Sequence, residues 1–566
     1  MKELQSILIV ETISSGLLYV NDIIERGYQP IVIFPEINAS QDDQDLLYTG
    51  LRERAVNELP EGTIVIYEEG VEKLLKELQS FDIVCVVAGS EKGVILADKL
   101  AARLNLPGNP VESSILHLHK SEMQEALKQH GVRSIRSRLV HNVEEARAFW
   151  AELGVSKAVI KPPASAGTVG LHFCASQKEV EEAVEEEIKK PDFFGVRSDS
   201  VLMQEFIAGT EYIVNTVSCN KIHRVTDVWV YNKVAVGNNG NAYDYAKLIT
   251  KLDAGHSQLI RYAYQVLDAL DFKYGPSHGE YMLTSTGPVL IEVGARPMGG
   301  KFPKELLDRA LGHHITDVSL DTYLAPEKFE KDRQKEYRPR EAVLNKFFIN
   351  PREAHFQSFP IISLLKGMKS FYSADLRESI LNEIAPKTID LETTPGNVLL
   401  CDKDENVVEH DYHVLHIFEE KCFSLLFASE NNAPRANDNI KASQIVYQIF
   451  ENDGKKIRML LNSADDIMED ENSCIEYITV DMLKESDSLT EIGVFNYWLP
   501  EDLESCVHYL FEFIKTIQPG GKILIAPELN ESISMGKYGW ELLLLAAGIT
   551  IEVPQYGMPE CVIGTV

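Results

Sequence analysis

No two of the eight cysteines form a Cys-x-x-Cys pair; Cys85, Cys174, Cys219, Cys401, Cys422, Cys474, Cys506 and Cys561 are scattered over 566 residues. This spacing excludes a disulfide framework and a zinc ribbon, and it suits buried thiols in a reducing compartment. Long apolar runs are missing too. The stretch LLLLAAGI at 542–549 falls far short of the ~20 residues a spanning helix needs. The start, MKELQSILIVETISSG, has too short an apolar segment before Glu11 for a secretory signal and reads as a strand. Basic charge is scarce: 55 Lys and Arg stand against 86 Asp and Glu, a formal charge of −31. Nucleic acid and anionic membrane would be repelled, and a bound polyphosphate needs a local cationic pocket and metal ions. The expectation is a soluble, cytoplasmic protein with neither partner, and self-association into a homo-oligomer is left open.

What is present is an ordinary globular composition, 45% apolar and 25% charged, at a length that implies two to four domains. SILIV (6–10), a helical stretch over 15–26 stopped by Gly27, and PIVIF (30–34) form a strand, helix, strand unit of a parallel sheet. FDIVCVVAGSEKGVILADKLAARLNLPG repeats the pattern from residue 81. The first turn, ETISSG, lacks Gly-x-Gly-x-x-Gly, so NAD is not expected. Helices are expected at 120–130 and 143–153, and the acidic run at 179–190 reads as a solvated helix face. Strands at 157–162, 201–206, 211–218 and 224–231 and a helix at 256–270 make an α+β middle. Residues 340–430 read as β-rich, 429–442 as a linker, and the remainder as α/β.

Four pieces carry chemistry. In HGEYMLTSTGPVLIEVGARPMGG (278–300), two short strands and a turn holding Gly287 and Pro288 carry Glu280 and Glu292. Strand alternation allows both glutamates to face solvent; turned inward they suit Mg2+, which takes one or two carboxylates plus phosphates. In VIKPPASAGTVGLHF, Lys161 ends a strand and a small-residue loop with Gly167 and Thr168 follows. Its N–H groups can cradle phosphate, and a plain hairpin tip is an equal reading. Lys120 begins a helix and alone says nothing. In MQEFIAGTEY, the backbone at Glu205 and Ile207 can meet an adenine edge, and the Glu211 carboxylate can take both ribose hydroxyls. His278 either orients a carboxylate or caps the hairpin.

In order and spacing these pieces resemble the ATP-grasp superfamily over residues 1–430, and within it carboxylate–amine ligases akin to L-amino acid ligases and carnosine synthase. The resemblance implies an α/β and α+β multidomain chain. It would comprise an N-terminal Rossmann-like preATP-grasp domain (1–112), an ATP-grasp nucleotide-binding core (113–335) and a β-rich C-terminal subdomain (336–430). By this likeness Lys120 and Lys161 hold the nucleotide phosphates, Gly167 and Thr168 belong to a lid, and Gln204, Glu205 and Ile207 form the adenine hinge. Glu211 binds ribose, Glu280 and Glu292 bind Mg2+ (or Mn2+), and Arg296, with Lys161, serves catalysis and faces the substrate. Tyr231 and His278 would border the substrate pocket. Two departures stand out: Gln204 where many members have glutamate, and Gly294 where many have an asparagine metal ligand, which leaves the metal count open.

The implied reaction joins a small-molecule carboxylate, an amino acid by this likeness, to an amine through an acyl phosphate, releasing ADP and phosphate. The alternatives are a ligase for a non-amino-acid or nucleotide-pathway carboxylate, and a non-catalytic nucleotide-binding regulator. The tail, 443–566, with its Pro-Gly-Gly at 519–521, resembles the later half of a class I methyltransferase without the glycine-rich S-adenosylmethionine loop. It reads as a degenerate α/β appendage.

Overall fold

The computed structural model describes residues 4–35, 45–163, 170–188, 190, 198–236, 240–300, 302–356, 361–381, 383–391 and 393–426. Of the tail it describes 457–461, 475–479, 490–495, 509–510, 512–525, 544, 549–552 and 562–565. Gly167, Thr168 and the linker at 429–442 lie outside these. Contacts divide the chain into two units, 1–342 with 389–391, and 343–388 with 392–566.

The first unit opens with β1 (Ser6–Val10), α1 (Gly16–Glu25), β2 (Gln29–Phe34), α2 (Asp45–Asn57), β3 (Ile64–Tyr67), α3 (Val71–Leu78), β4 (Ile83–Ala88) and α4 (Val94–Arg103). The strands are parallel in the order β3-β2-β1-β4. Every residue of β1 is buried: Leu8 and Val10 pack into one apolar cluster and Ile7 and Ile9 into another, as expected for a sheet covered on both faces. The order reverses at β1, which opens a crevice beyond the carboxyl ends of β1 and β4, the usual ligand position in such sheets. The loops after the two strands meet backbone to backbone there. A Cβ at Gly89 would stand 2.0 Å from the Glu11 carbonyl oxygen, and one at Gly93 2.1 Å from that of Val10, so only glycine fits.

Next come α5 (Lys120–Gln129) and a small antiparallel layer of β5 (Ser137–Val140), α6 (Val143–Leu153), β6 (Ala158–Lys161), β7 (His172–Cys174), α7 (Gln177–Glu187) and β8 (Val201–Glu205), with strand order β5-β8-β6-β7. Asn142 and Ser176 cap α6 and α7 through the backbone N–H groups of Glu145 and Glu179. Ala158, Ile160, Val201 and Met203 pack against Phe149, Val180 and Val184 of those helices. The acidic α7 thus buries an apolar stripe under its solvated face. By register, Lys161 opposes Leu202 and Val159 opposes Gln204, and these four share the other face.

The core of the unit holds β9 (Thr210–Cys219), β10 (Ile222–Val236), β11 (Gly240–Leu248), α8 (Ala254–Ala269), β12 (Tyr274–Thr284), β13 (Gly287–Gly294), α9 (Lys304–Leu311), α10 (Ile315–Leu324) and α11 (Pro326–Asp332). Strands β13-β12-β9-β10-β11 are antiparallel neighbours. One face, with Val214, Val228, Tyr281, Leu290 and Val293, packs on Leu259 and Val266 of α8 and Met123 and Leu127 of α5. The hairpin turn differs from expectation. Thr284 pairs with Gly287 and Leu283 with Pro288, so Ser285 and Thr286 make the turn and Pro288 sits at the strand start, where no ladder N–H is lost.

The second unit contains β14 (Ala342–Phe347), β15 (Ala354–His355), α12 (Ile361–Gly367), β16 (Phe371–Leu376), β17 (Ile384–Ala385), β18 (Gly396–Asp402) and α13 (Glu405–Leu426). The segment read as β-rich therefore ends in a 22-residue helix. Val408, Asp411 and Leu415 are buried at helical spacing, and the Asp404 carboxylate accepts from the Asn406 N–H at its start. Asp411 in turn accepts from the backbone and hydroxyl of Ser370.

The tail adds β19 (Ile457–Leu461), β20 (Ile475–Thr479), β21 (Thr490–Phe495), β22 (Ile517–Ile525), β23 (Thr550–Glu552) and β24 (Val562–Thr565) in the order β20-β19-β21-β22-β24-β23. The first four run parallel, and the last strand in sequence is inserted antiparallel between β22 and β23. Pro519, Gly520 and Gly521 lie within β22, at a register slip, instead of forming a separate turn. Among the described residues no helix is long and apolar enough to cross a membrane.

Candidate active site

The face of the core sheet turned away from α8 is polar, and the register lays it out in rungs. Tyr231, Glu211 and Met282 form one; Trp229, Ile213, Glu280 and Glu292 the next; Asp227, Asn215, His278 and Gly294 the third. Successive rungs are two residues apart on each strand, so all face one side. The two glutamates are thus turned inward on adjacent strands, their side chains 15% and 24% exposed.

Cations converge on them. Lys120, the first residue of α5, lies 2.7 Å from Glu292 (Nζ to Oε2). Burial would lower its ammonium, but Glu292, then Glu91 and Glu280, raise it. Lys161 is also buried, and burial followed by the charge of Lys120 pushes it down to about 8. Burial would raise the Glu280 carboxyl; His278, Lys233 and Arg296 outweigh that and hold it at about 2. Arg296 is raised by Glu91, Glu292 and Glu280 against the cost of its burial.

Four side chains that the sequence reading did not single out complete the site. Lys233, one rung beyond Tyr231, is 2.6 Å from Glu211 and lies over the Tyr243 ring at 4.4 Å. Burial with Glu280 and Glu292 nearby raises the Glu211 carboxyl despite Lys233. Glu91, from the crevice of the first sheet, accepts from Arg296 Nε at 2.9 Å. A Cβ at position 294 would stand 3.2 Å from Glu91 Oε2, so the absent side chain at Gly294 leaves room for a carboxylate from the N-terminal layer. Asn215 and Asp227 line the third rung and bond His278 and Trp229. Local sequence held no signal for any of them, because each meets its partner only through register or tertiary packing.

The hinge residues fare differently from one another. The Gln204 amide nitrogen is buried with no hydrogen-bond partner among the described residues. Glu205 is engaged with Arg136, which it meets at 2.8 Å, and its N–H donates to the Arg136 carbonyl. Ile207 lies just past the end of β8, half-buried. Tyr231 packs edge-on against Tyr243 with ring centres 5.0 Å apart, and Trp229 is covered by Phe302 at 5.0 Å.

Lys120, Lys161, Lys233 and Arg296 formally balance Glu91, Glu211, Glu280 and Glu292. A triphosphate added to this set needs divalent cations for balance, and two inward carboxylates beside two buried lysines are a donor set suited to Mg2+. The buried, unpartnered Gln204 amide suits a ligand edge that accepts a hydrogen bond.

Comparison with known proteins shows what the chain is similar to. Residues 119–298 match the family of the phosphoribosylglycinamide synthetase ATP-grasp (A) domain. Dapdiamide A synthase of Enterobacter agglomerans is 32% identical over 375 residues, covering 63% of this chain and 86% of that protein. The L-arginine-specific L-amino acid ligase of Bacillus subtilis is 19% identical over 349 residues, covering 59% of this chain and 80% of the relative. The crystal structure of L-amino acid ligase from Bacillus licheniformis superposes with a TM-score of 0.56 at 18% identity, over 74% of this chain and 98% of that one.

Proposed function

The chain belongs to the ATP-grasp ligases and is an ATP-dependent enzyme that joins a carboxylate to an amine, and from that premise we propose that its carboxylate substrate is an amino acid held between Glu91 and Arg296. The observation that carries this reading is the 2.9 Å Glu91–Arg296 pair, at the crevice of the first sheet and beside the face bearing Glu280 and Glu292. A zwitterion can open such a pair without leaving a charge unpaired. Its carboxylate takes Arg296 and its ammonium takes Glu91, so neither half-buried group loses a partner.

The division of labour follows from charge and position. A substrate carboxylate oxygen attacks the γ-phosphorus of ATP, ADP leaves, and the resulting acyl phosphate is attacked at carbon by an amine, giving an amide and phosphate. The first step brings two anions together, so stabilising negative charge on the transferring group is the main task. Lys120 and Lys161 supply it from α5 and β6, and Arg296 from the end of β13. Glu280 and Glu292 would hold Mg2+, which, when bound, neutralises phosphate oxygens. Glu211, held by Lys233, would take the ribose, and Gln204 would take the base.

We read the tail as methyltransferase-like and degenerate. Support comes from its strand order, with the last strand inserted antiparallel beside β22. The 462–474 connection after β19 contains no glycine to approach a cofactor.

Incubating the full chain with ATP, Mg2+ and pooled amino acids, and following nucleotides and condensed products by mass spectrometry, tests the reading. ADP, phosphate and an amide are expected. ADP with an amide only when a carboxylate lacking an α-ammonium is supplied would overturn the role of Glu91; AMP in place of ADP would overturn the acyl phosphate.

A further inference from the structure

On the third rung, Asp227, Asn215 and His278 stand side by side across β10, β9 and β12, at 6%, 1% and 5% exposure. Trp229 Nε1 donates to Asp227 Oδ1 at 2.5 Å, and the Asn215 amide nitrogen donates to the same oxygen. Because a carboxylate only accepts, these contacts fix which end of the Asn215 amide is nitrogen. Its Oδ1 then faces His278 Nδ1 at 2.9 Å, and a carbonyl oxygen there requires the hydrogen to sit on Nδ1. One edge of the imidazole is pinned in this way. The other edge, Nε2, lies 3.5 Å from Glu280 Oε1. His278 and Glu280 are two apart on β12 and face the same side.

Four buried polar side chains in line are costly unless each is satisfied, and here the hydrogen bonds run as far as His278, whose Nε2 edge stands nearest Glu280. The string also touches the segment after Arg296, through a 3.3 Å contact of Asn215 with Met298 Sδ.

We propose that Asn215, backed by Asp227 and Trp229, is a positioning residue that locks His278 against Glu280 and thereby sets the affinity of Glu280 for its divalent cation. This rests on Glu280 being a metal ligand. Outer partners of metal-ligating side chains fix their orientation, and losing one typically weakens binding by roughly ten- to a hundredfold. Asn215→Leu removes the acceptor that pins the ring, and Asp227→Asn keeps the shape of the rung while replacing the carboxylate that orients Asn215.

The test is Mn2+ binding to the full chain in the presence of ADP, with free Mn2+ read by electron paramagnetic resonance, beside ADP binding without metal read by calorimetry. Asn215→Leu is expected to weaken Mn2+ binding by roughly ten- to a hundredfold and to leave metal-free ADP affinity unchanged; a merely structural residue would lower both. Asp227→Asn should move the Mn2+ isotherm in the same direction, and it decides the matter if Asn215→Leu does not fold. Parental Mn2+ affinity in both variants, with Glu280→Gln weakened, overturns the proposal. Parental affinity in Glu280→Gln itself overturns the metal assignment on which it stands.

Discussion

Lys120 Nζ and Glu292 Oε2 face each other at 2.7 Å, so an ammonium stands beside the carboxylate that a divalent cation would occupy. Phosphate and metal arriving together would give each of the two a new partner, which would couple nucleotide binding to metal binding. Glu292→Gln should therefore cut single-turnover ADP formation by about a hundredfold or more with the far-ultraviolet dichroism unchanged. Parental turnover in that variant would remove Glu292 from the metal site.

Lys161, lowered to about 8 by burial and by Lys120, is partly deprotonated at pH 8 before nucleotide arrives. Phosphate oxygens favour its charged form, so binding takes up protons, on the order of half a proton at pH 8 and almost none at pH 6.5. Calorimetry in buffers of different ionisation enthalpy reads this directly. Lys161→Met should abolish the buffer dependence; persistence in the variant would assign it elsewhere.

Gln204 predicts effects of opposite sign. Its buried amide nitrogen has no partner among the described residues, a desolvation cost of about 1–3 kcal/mol. Gln204→Leu should raise the melting temperature of the free protein and weaken ADP binding. A variant that loses stability and binds ADP normally would place the amide outside the base site.

His314 links α10 to α1, with Nε2 3.0 Å from Asp22 and Nδ1 2.7 Å from Asp308. Burial opposes its charge, but the two carboxylates raise it to about 9. A pKa above the unfolded value of about 6.5 means that the stabilisation is complete below about pH 6.5 and is lost as pH rises through 9. The full difference is roughly 3 kcal/mol. The first unfolding transition, followed in urea from pH 6 to 10, should shift accordingly, and His314→Gln should flatten the profile.

Local patterns disclosed the elements that matter most. The continuous apolar runs of β1 and β4, the strands of the β12–β13 hairpin and the helix headed by Lys120 were legible, because alternation and helical spacing are local properties; alternation left the direction of Glu280 and Glu292 open, and the cross-strand register decided it. Glu91 was not legible, since it meets Arg296 across 205 residues of sequence. Lys233 and Asn215 acquire roles only from cross-strand register. The helix at Glu405–Leu426 was hidden by its Val, Tyr, Ile and Phe residues, which favour strands until burial of Val408, Asp411 and Leu415 decides for the helix.

Every role assigned above requires that phosphate pass from ATP to a substrate carboxylate. An amino acid labelled with 18O in its carboxylate, turned over with ATP and Mg2+, tests it most directly. Transfer through an acyl phosphate leaves one labelled oxygen in the released inorganic phosphate and none in the nucleotide. Label in AMP, or unlabelled phosphate alongside amide product, would contradict it.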